Sequence, residues 1–132
     1  MVTQRKLFIV LISLTFFASC SESFKRIDPT SFNEKIKNAT NIKTPEELVK
    51  IFYNYPATEK VPKLTTYAKK LGDSTYEITL VHEGLEDDSQ SGEKIVMKAK
   101  QDGQTWVVIE IRKNWKCWEG RGQKNWETIP CN

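Results

Sequence analysis

Two alternating segments joined by a tight-turn signal constrain the fold of this chain more than any other feature. The segments run from Glu93 to Lys100 and from Gln104 to Trp115, and Gln101-Asp102-Gly103 lies between them. An Asp-Gly pair between alternating segments is a strong signal for a β-hairpin, because glycine readily adopts the left-handed backbone that a short turn requires. Every second side chain of a strand lies on the same face of its sheet. The residues expected to face the core are Ile95, Met97, Ala99, Val107, Ile109 and Ile111.

Two further strands are predicted before this hairpin. The segment from Thr75 to Glu83 alternates between apolar and polar positions, and it follows the turn-forming cluster Leu71-Gly72-Asp73-Ser74. The stretch before that turn is ambiguous. Leu64-Thr65-Thr66-Tyr67 favours a strand, whereas the apolar residues at positions 61, 64, 68 and 71 also fit one face of a helix. We predict the strand, which gives four antiparallel strands in all.

A helix is predicted before the strands, starting at Thr44-Pro45-Glu46-Glu47. Threonine is a good N-cap, proline is favoured at the first helical position, and glutamate at the third completes a capping box. Asn54-Tyr55-Pro56 ends the helix, because the residue before proline avoids the helical conformation. One helix from Pro45 to Asn54, packed on a curled four-stranded antiparallel sheet, is an α+β fold. This order of elements resembles that of cystatin-like and NTF2-like folds.

The amino terminus has the layout of an export signal. Two basic residues precede an apolar run from Leu7 to Ala18, and the small residue Ser19 follows it. The run has 12 residues, whereas a helix needs about 20 apolar residues to span a membrane. We therefore interpret residues 1–19 as a signal peptide that is removed.

The residues around the expected cleavage point, Phe17-Ala18-Ser19-Cys20, resemble the lipobox of bacterial lipoproteins. The resemblance implies that Cys20 becomes the mature amino terminus and carries a lipid with acyl chains such as palmitate. It also implies attachment to a membrane of the cell envelope, for which we expect the outer membrane. Phenylalanine stands where leucine is favoured, so conventional cleavage, giving a secreted or periplasmic protein, is the alternative.

Composition divides the remaining chain into a tether and one domain. Residues 20–43 are rich in Ser, Asn, Lys and Thr and are predicted to form a lipidated amino terminus and flexible tether, in which a short helix near Phe32 to Lys37 is allowed. Residues 44–132 are predicted to form a single small domain. The signal peptide holds two of the 20 basic residues and none of the 17 acidic ones, so removing it lowers the net charge from +3 to +1. Such a balance gives no support to a nucleic-acid partner.

Cys117 and Cys131 are the cysteines that remain within the domain. Export brings a protein into a compartment where disulfides form and persist, so we predict that these two cysteines are paired. A zinc site is not expected, because two cysteines without a nearby histidine supply too few ligands. No cofactor is predicted.

Three tryptophans lie in or beside the loop between these cysteines, and the loop also contains the cations Arg121 and Lys124. The segment from Trp115 to Gly122, followed by Trp126 and Cys131, resembles the carboxyl-terminal signature of a group of small, uncharacterised bacterial secreted proteins, a resemblance that implies no activity. Aromatic faces beside cations can bind glycans or anionic polymers, although tryptophans over a disulfide also extend a small core. The candidate binding residues are Trp115, Trp118, Arg121, Lys124 and Trp126.

No set of residues in the sequence indicates catalysis. His82, the single histidine, is predicted to lie in the core or at its rim, because a general base needs a positioned partner that the sequence does not identify. The acidic loop, residues 83–93, contains Asp87 and Asp88 but lacks the alternating acidic spacing of a calcium-binding loop. Adjacent carboxylates are also a weak signal for glycoside hydrolysis. We predict neither catalytic nor metal-binding residues.

The sequence therefore favours a noncatalytic, lipid-anchored envelope protein that binds or scaffolds an envelope glycan or another envelope protein. The main alternative is an inhibitor that blocks a secreted hydrolase, with the acidic loop meeting a basic enzyme such as a lysozyme.

Overall fold

Five antiparallel strands form one sheet in the computed structural model, which describes residues 21–54 and 63–132. The strand order within this part of the chain is β1-β5-β4-β3-β2. Apolar residues of two helices and of the sheet form the core, so the fold is α+β. The elements are β1 (Lys25–Ile27), α1 (Thr30–Ile36), α2 (Pro45–Tyr53), β2 (Lys63–Lys70), β3 (Thr75–Glu83), β4 (Gln90–Asp102) and β5 (Thr105–Cys117).

The predicted helix is α2, and its start is determined locally. The Thr44 hydroxyl accepts a hydrogen bond from the Glu47 amide, and the Glu47 carboxylate accepts one from the Thr44 amide. Glu47 also accepts a bond from the Lys43 amide, the main reason why its pKa is lowered. Asn54 ends the helix in the left-handed conformation, with φ of 48°. Tyr55 and Pro56, which also entered the prediction, lie outside the described residues.

Residues 21–43 belong to the domain, which corrects the prediction of a flexible tether over residues 20–43. Cys20 and the predicted signal peptide lie outside the described residues. β1 pairs with β5 through Lys25 to Lys113 and Ile27 to Ile111. Phe32 and Ile36 of α1 are buried in the core. The fifth strand, β1, was absent from the prediction, whereas α1 lies where a short helix near Phe32 to Lys37 was allowed. The few large apolar residues of this segment are thus enough to attach it to the sheet.

Asn33 of α1 protects the part of β5 that β1 does not reach. Its side-chain amide donates a hydrogen bond to the Val108 carbonyl at 2.8 Å and accepts one from the Val108 amide at 2.8 Å. The side chain thereby makes the two bonds that a neighbouring strand would make at this position. An unpaired strand edge can recruit another chain, and Asn33 occupies that position within the fold.

The strand predictions are confirmed in their positions and order. The ambiguous segment at Leu64-Thr65-Thr66-Tyr67 is strand β2, which pairs with β3 over its whole length. Ile78 and Leu80 of β3 are buried as the alternation predicted. The turn signal at Asp102-Gly103 connects β4 to β5, with Gly103 at φ of 60°.

The prediction of which β5 residues face the core is wrong at two positions. Ile111 is buried, but Val107 and Ile109 are 51% and 52% exposed. A β-bulge causes the difference: Lys98 pairs with Glu110 whereas Ala99 pairs with Val108, which leaves Ile109 as an extra residue. An extra residue shifts the alternation by one position, so Trp106 and Val108 face the core before the bulge and Ile111 faces it afterwards.

The sheet face opposite the helices, here called the open face, carries mostly polar side chains. Arg112, Asn114 and Lys116 of β5 lie on it, because they alternate with Ile111. At the end nearest Cys117, Lys116 is in register with Gly92, which is in turn in register with Glu83. Among residues 21–54 and 63–132, no helix has the length and apolar composition needed to cross a membrane.

Candidate binding site at the disulfide-closed end of the sheet

A disulfide between Cys117 and Cys131 closes the carboxyl-terminal segment, as the sequence predicted. We call residues 117–131 the clasp. Glu127 pairs with Trp115 through two backbone hydrogen bonds, and the Cys117 amide donates to the Gln123 carbonyl at 2.8 Å. The Asn132 amide donates to the Arg121 carbonyl at 2.7 Å. The clasp thus folds back along the end of β5.

Two of the three candidate tryptophans are held by contacts within the protein. The Trp115 indole donates a hydrogen bond to the Ile129 carbonyl at 2.9 Å. The ring of Trp126 lies on the open face, with the ammonium groups of Lys94 and Lys116 at 4.5 Å and 5.0 Å from its centroid. Cations over an indole face stabilise this arrangement. These contacts give Trp115 and Trp126 a structural role, whatever else they bind.

Gly92 provides the space that the Trp126 ring occupies, a feature that the sequence reasoning missed. A Cβ atom at this position would lie 3.0 Å from Cη2 of Trp126 and 3.0 Å from Cε of Lys116. It would also lie 3.2 Å from the carbonyl oxygen of His82. A glycine within a strand often marks such a close approach. The sequence did not show this signal, because the predicted strand started at Glu93 and β4 in fact starts at Gln90.

Trp118 differs from the other two because the residue is 41% exposed, whereas Trp115 and Trp126 are partly buried. Its backbone amide donates to the Ser89 carbonyl at 2.9 Å, and its indole donates to the Asp87 carbonyl at 2.8 Å. The clasp is therefore joined to the acidic loop between β3 and β4. The bonds fix the position of the indole and leave part of its ring accessible.

The acidic loop is held by its own side chains. One Asp87 carboxylate oxygen accepts hydrogen bonds from the Gln90 amide, the Ser89 amide and the Ser89 hydroxyl. These bonds, led by that from Gln90, lower the pKa of Asp87. Glu86 and Asp88 are exposed. Within the part of the chain that the structure describes, no three His, Cys, Asp or Glu residues are grouped so that they could hold a metal ion.

A groove of about 360 Å³ lies between the clasp and the ends of β2, β3 and β4. Lys116 forms an ion pair with Glu83, which lowers the pKa of that carboxyl, chiefly through their hydrogen bond. Lys124 forms an ion pair with Glu119 at 2.9 Å. The groove therefore presents positioned cations beside an accessible aromatic ring. It is lined by Lys63, Glu83, Gly84, Ser91, Lys116, Cys117, Trp118, Glu119 and Lys124.

The structure brings only part of the predicted binding set together. Trp118 and Lys124 line this groove, whereas Trp115, Trp126 and Arg121 do not. Arg121 is exposed at the clasp tip, and no ion pair of its guanidinium occurs among the described residues. Sequence reasoning missed Lys63, Glu83 and Lys116, which strand pairing brings to the groove.

A polar cluster lies under α2 on the helix-covered face. The Tyr53 hydroxyl is 2.8 Å from Nδ1 of His82 and donates to Glu93 at 3.4 Å. Lys113 donates to the other Glu93 oxygen at 3.1 Å. His82 is 1% exposed, which confirms the predicted core location. The strand register places His82 beside Glu93, a pairing that the sequence reasoning did not identify.

Comparisons with protein-family models, curated proteins and solved structures found no match to this chain.

Proposed function

We propose that this chain is a lipid-anchored protein of the bacterial cell envelope whose domain binds another envelope component without catalysing a reaction. The amino-terminal sequence supports an envelope location, because a short apolar run ends at Ala18 and is followed by Ser19 and Cys20. The Cys117–Cys131 disulfide is consistent with export, since disulfides persist in oxidising compartments. The observation that carries the binding function is the groove beside Trp118 and Lys124.

The chemistry of the groove suits an anionic glycan. The exposed face of Trp118 can pack against the apolar face of a sugar ring, while its indole N–H is already bonded to Asp87. Lys63, Lys116 and Lys124 line the same groove and can pair with carboxylates or phosphates. The clasp and strand pairing fix the backbone positions of these residues before binding, which reduces the entropy lost when a ligand is bound.

The lipid is tested by the mass of protein extracted from membranes. The mature chain should begin at Cys20 and exceed the mass of residues 20–132 by an acylated glycerol. A Cys20→Ala variant should lose the anchored, mature form. A mature chain that starts at Ser21 without lipid would contradict the proposal.

The groove is tested by binding to purified peptidoglycan, a glycan polymer that carries carboxylates. Trp118→Ala and Lys124→Glu should each weaken binding roughly tenfold or more, which corresponds to about 1.4 kcal/mol. Lys100→Glu is the matched control for Lys124→Glu, because Lys100 is exposed at the other end of β4. Denaturation curves should show that each variant remains folded.

Arg121→Ala distinguishes binding in the groove from binding at the clasp tip, since Arg121 is exposed but does not line the groove. Truncating an exposed side chain should change the free energy of unfolding by no more than about 0.5 kcal/mol. If Arg121→Ala abolishes binding while Trp118→Ala does not, the tip is the binding surface and the groove is not. If Arg121→Ala unfolds the domain, the arginine is a structural residue.

A second candidate function, inhibition of a basic secreted hydrolase, is favoured by the order within the acidic loop. Hydrogen bonds from Ser89, Gln90 and Trp118 hold the loop while Glu86 and Asp88 stay exposed. A fixed acidic surface can meet a cationic enzyme without a large loss of conformational entropy. Salt-sensitive binding to a lysozyme, lost in a Glu86→Gln, Asp88→Asn double variant, would favour this function over glycan binding.

A further inference from the structure

The first described residues, Ser21 to Phe24, are attached to the open face of the sheet. The Glu22 carboxylate accepts hydrogen bonds from Lys94 at 2.7 Å and from the Asn114 side chain at 3.3 Å. Asn114 also donates to the Ser23 carbonyl at 2.9 Å, and the Ser23 hydroxyl bonds to Glu127 of the clasp. The segment thus lies against β4, β5 and the clasp.

Phe24 extends this attachment along the sheet. The guanidinium of Arg112 lies 5.0 Å from the centroid of its ring. Asn114, which lies beneath the segment, is 0% exposed. The described part of the chain is therefore attached to the sheet from Ser21 onward.

This attachment determines how closely a lipid on Cys20 would hold the domain to a bilayer. Consecutive Cα atoms lie about 3.8 Å apart, so the acylated residue would be one peptide unit from Ser21. The surface of the domain around Ser21 would then face the lipid headgroups. The opposite end of the sheet would point away from the membrane.

A second groove, of about 430 Å³, lies at this surface. Trp126 is one of its walls, and indole rings are favoured at membrane interfaces because they have both an apolar body and a polar N–H. The groove contains two lysines and two glutamates, so its formal charge is balanced. It is lined by Ser21, Glu22, Lys116, Lys124, Asn125, Trp126 and Glu127.

We propose that this second groove is seated on the membrane and takes the zwitterionic headgroup of a phospholipid. The phosphate would replace the carboxylates of Glu83 and Glu119 on Lys116 and Lys124, and the ammonium would pair with Glu127. Because the same two lysines line the first groove, a headgroup here and a glycan there would compete for them. The proposal rests on the lipid attachment at Cys20 proposed above. Balanced charge in the groove matches a headgroup that carries both signs, whereas a purely anionic headgroup would call for an excess of cations. The membrane surface is the occupant because a lipid on Cys20 would be joined to Ser21, which lines the groove, by a single peptide bond.

Tryptophan quenching tests the position of the groove. The full lipidated protein is reconstituted into phosphatidylcholine vesicles with or without bromine on the acyl chains, which quenches nearby indoles. The quenching should fall by more than half in Trp126→Phe and should change little in Trp118→Phe, whose ring lies outside this groove. Equal quenching in wild type and Trp126→Phe would overturn the proposal.

A spacer variant tests the headgroup contact and does not depend on a tryptophan substitution. Ten Gly/Ser residues inserted between Cys20 and Ser21 would separate the domain from its anchor by roughly 15–20 Å. Quenching should persist in this variant if the groove binds the headgroup. If quenching disappears, the short connection alone held the groove at the membrane, and headgroup binding is refuted.

Vesicles of phosphatidylglycerol, which is purely anionic, test the charge argument with the same spacer variant. Quenching no stronger than in phosphatidylcholine is expected, and much stronger, salt-sensitive quenching would refute the zwitterionic match. The intact mass measured before reconstitution separates this inference from the proposed function. If no lipid is found, the lipid anchor and the headgroup site are both refuted. If the protein is lipidated but Trp126 is not quenched, only the headgroup site is refuted.

Discussion

Replacing Asn33 should show how much the uncovered edge of β5 depends on one side chain. Asn33→Leu keeps a similar size but removes the hydrogen bonds to the amide and carbonyl of Val108, each 2.8 Å long. A hydrogen bond contributes about 0.5–1.5 kcal/mol net, so the loss of two should lower the free energy of unfolding by about 1–3 kcal/mol. For a domain of this size, the melting temperature should fall by roughly 4–8 °C per kcal/mol.

Asn33→Asp tests the two hydrogen bonds to Val108 separately. The aspartate can still accept from the Val108 amide, but at neutral pH its second oxygen faces the Val108 carbonyl without a proton to donate. The variant should therefore be destabilised at pH 7 and should recover stability relative to wild type as the pH falls and the carboxyl becomes protonated. Asn38→Asp is the charge-matched control, because Asn38 is exposed and lies just beyond α1.

Urea denaturation followed by tryptophan fluorescence measures these differences, and sedimentation at several protein concentrations measures association through the exposed edge. Asn33→Leu should also associate more readily, since the flanking Val107 and Ile109 are about half exposed. A change in unfolding free energy below about 0.5 kcal/mol for Asn33→Leu, or a pH response shared by Asn38→Asp, would refute the reasoning.

Four further outcomes are expected. Changing both clasp cysteines to serine should destabilise the domain by about 2–4 kcal/mol in urea, and no measurable change would contradict the role of the disulfide. Gly92→Ala should cost about 1–3 kcal/mol and alter the near-ultraviolet signal of the displaced Trp126, whereas Gly72→Ala, with nothing within 4 Å of its new Cβ, should leave that signal unchanged. The pKa of Asp87 is lowered from 3.8 in the folded state, so wild type should be more stable than Asp87→Asn above about pH 4. The difference should disappear as the pH falls through the lowered pKa, and a difference that does not depend on pH would contradict this. Calcium at submillimolar concentration should leave the melting temperature nearly unchanged, and a rise of many degrees would show that the acidic loop binds it.

Local signals in the sequence determined the elements whose causes lie within a few residues. The capping box at Thr44 and Glu47 starts α2, and Asp102-Gly103 turns β4 into β5. The alternation in β3 predicts its buried face. The disulfide could be predicted from the oxidising compartment that export implies, because no other partner was expected for Cys117 or Cys131. Each of these features follows from short-range chemistry that the linear sequence displays directly.

The tertiary structure decided the features that depend on residues far apart in the chain. β1 is only three residues long, too short to be predicted as a strand from its own sequence. It forms because its residues pair with Ile111–Lys113 of β5, far along the chain. The bulge at Ile109 changes which side chains are buried without changing the hydrophobic pattern of β5. No local rule indicates either feature, because both depend on how neighbouring strands align.

The same division applies to the candidate site. The sequence identified Trp118 and Lys124 as residues of a binding type, but it could not separate them from Trp115 and Trp126, which have the same chemistry in the same segment. Strand register placed Lys63, Glu83 and Lys116 along one groove, and closure of the clasp placed Lys124 and Trp118 in the same groove. Chemistry is a property of each residue and can be read from the sequence, whereas exposure and proximity are properties of the packed chain and were decided by the fold.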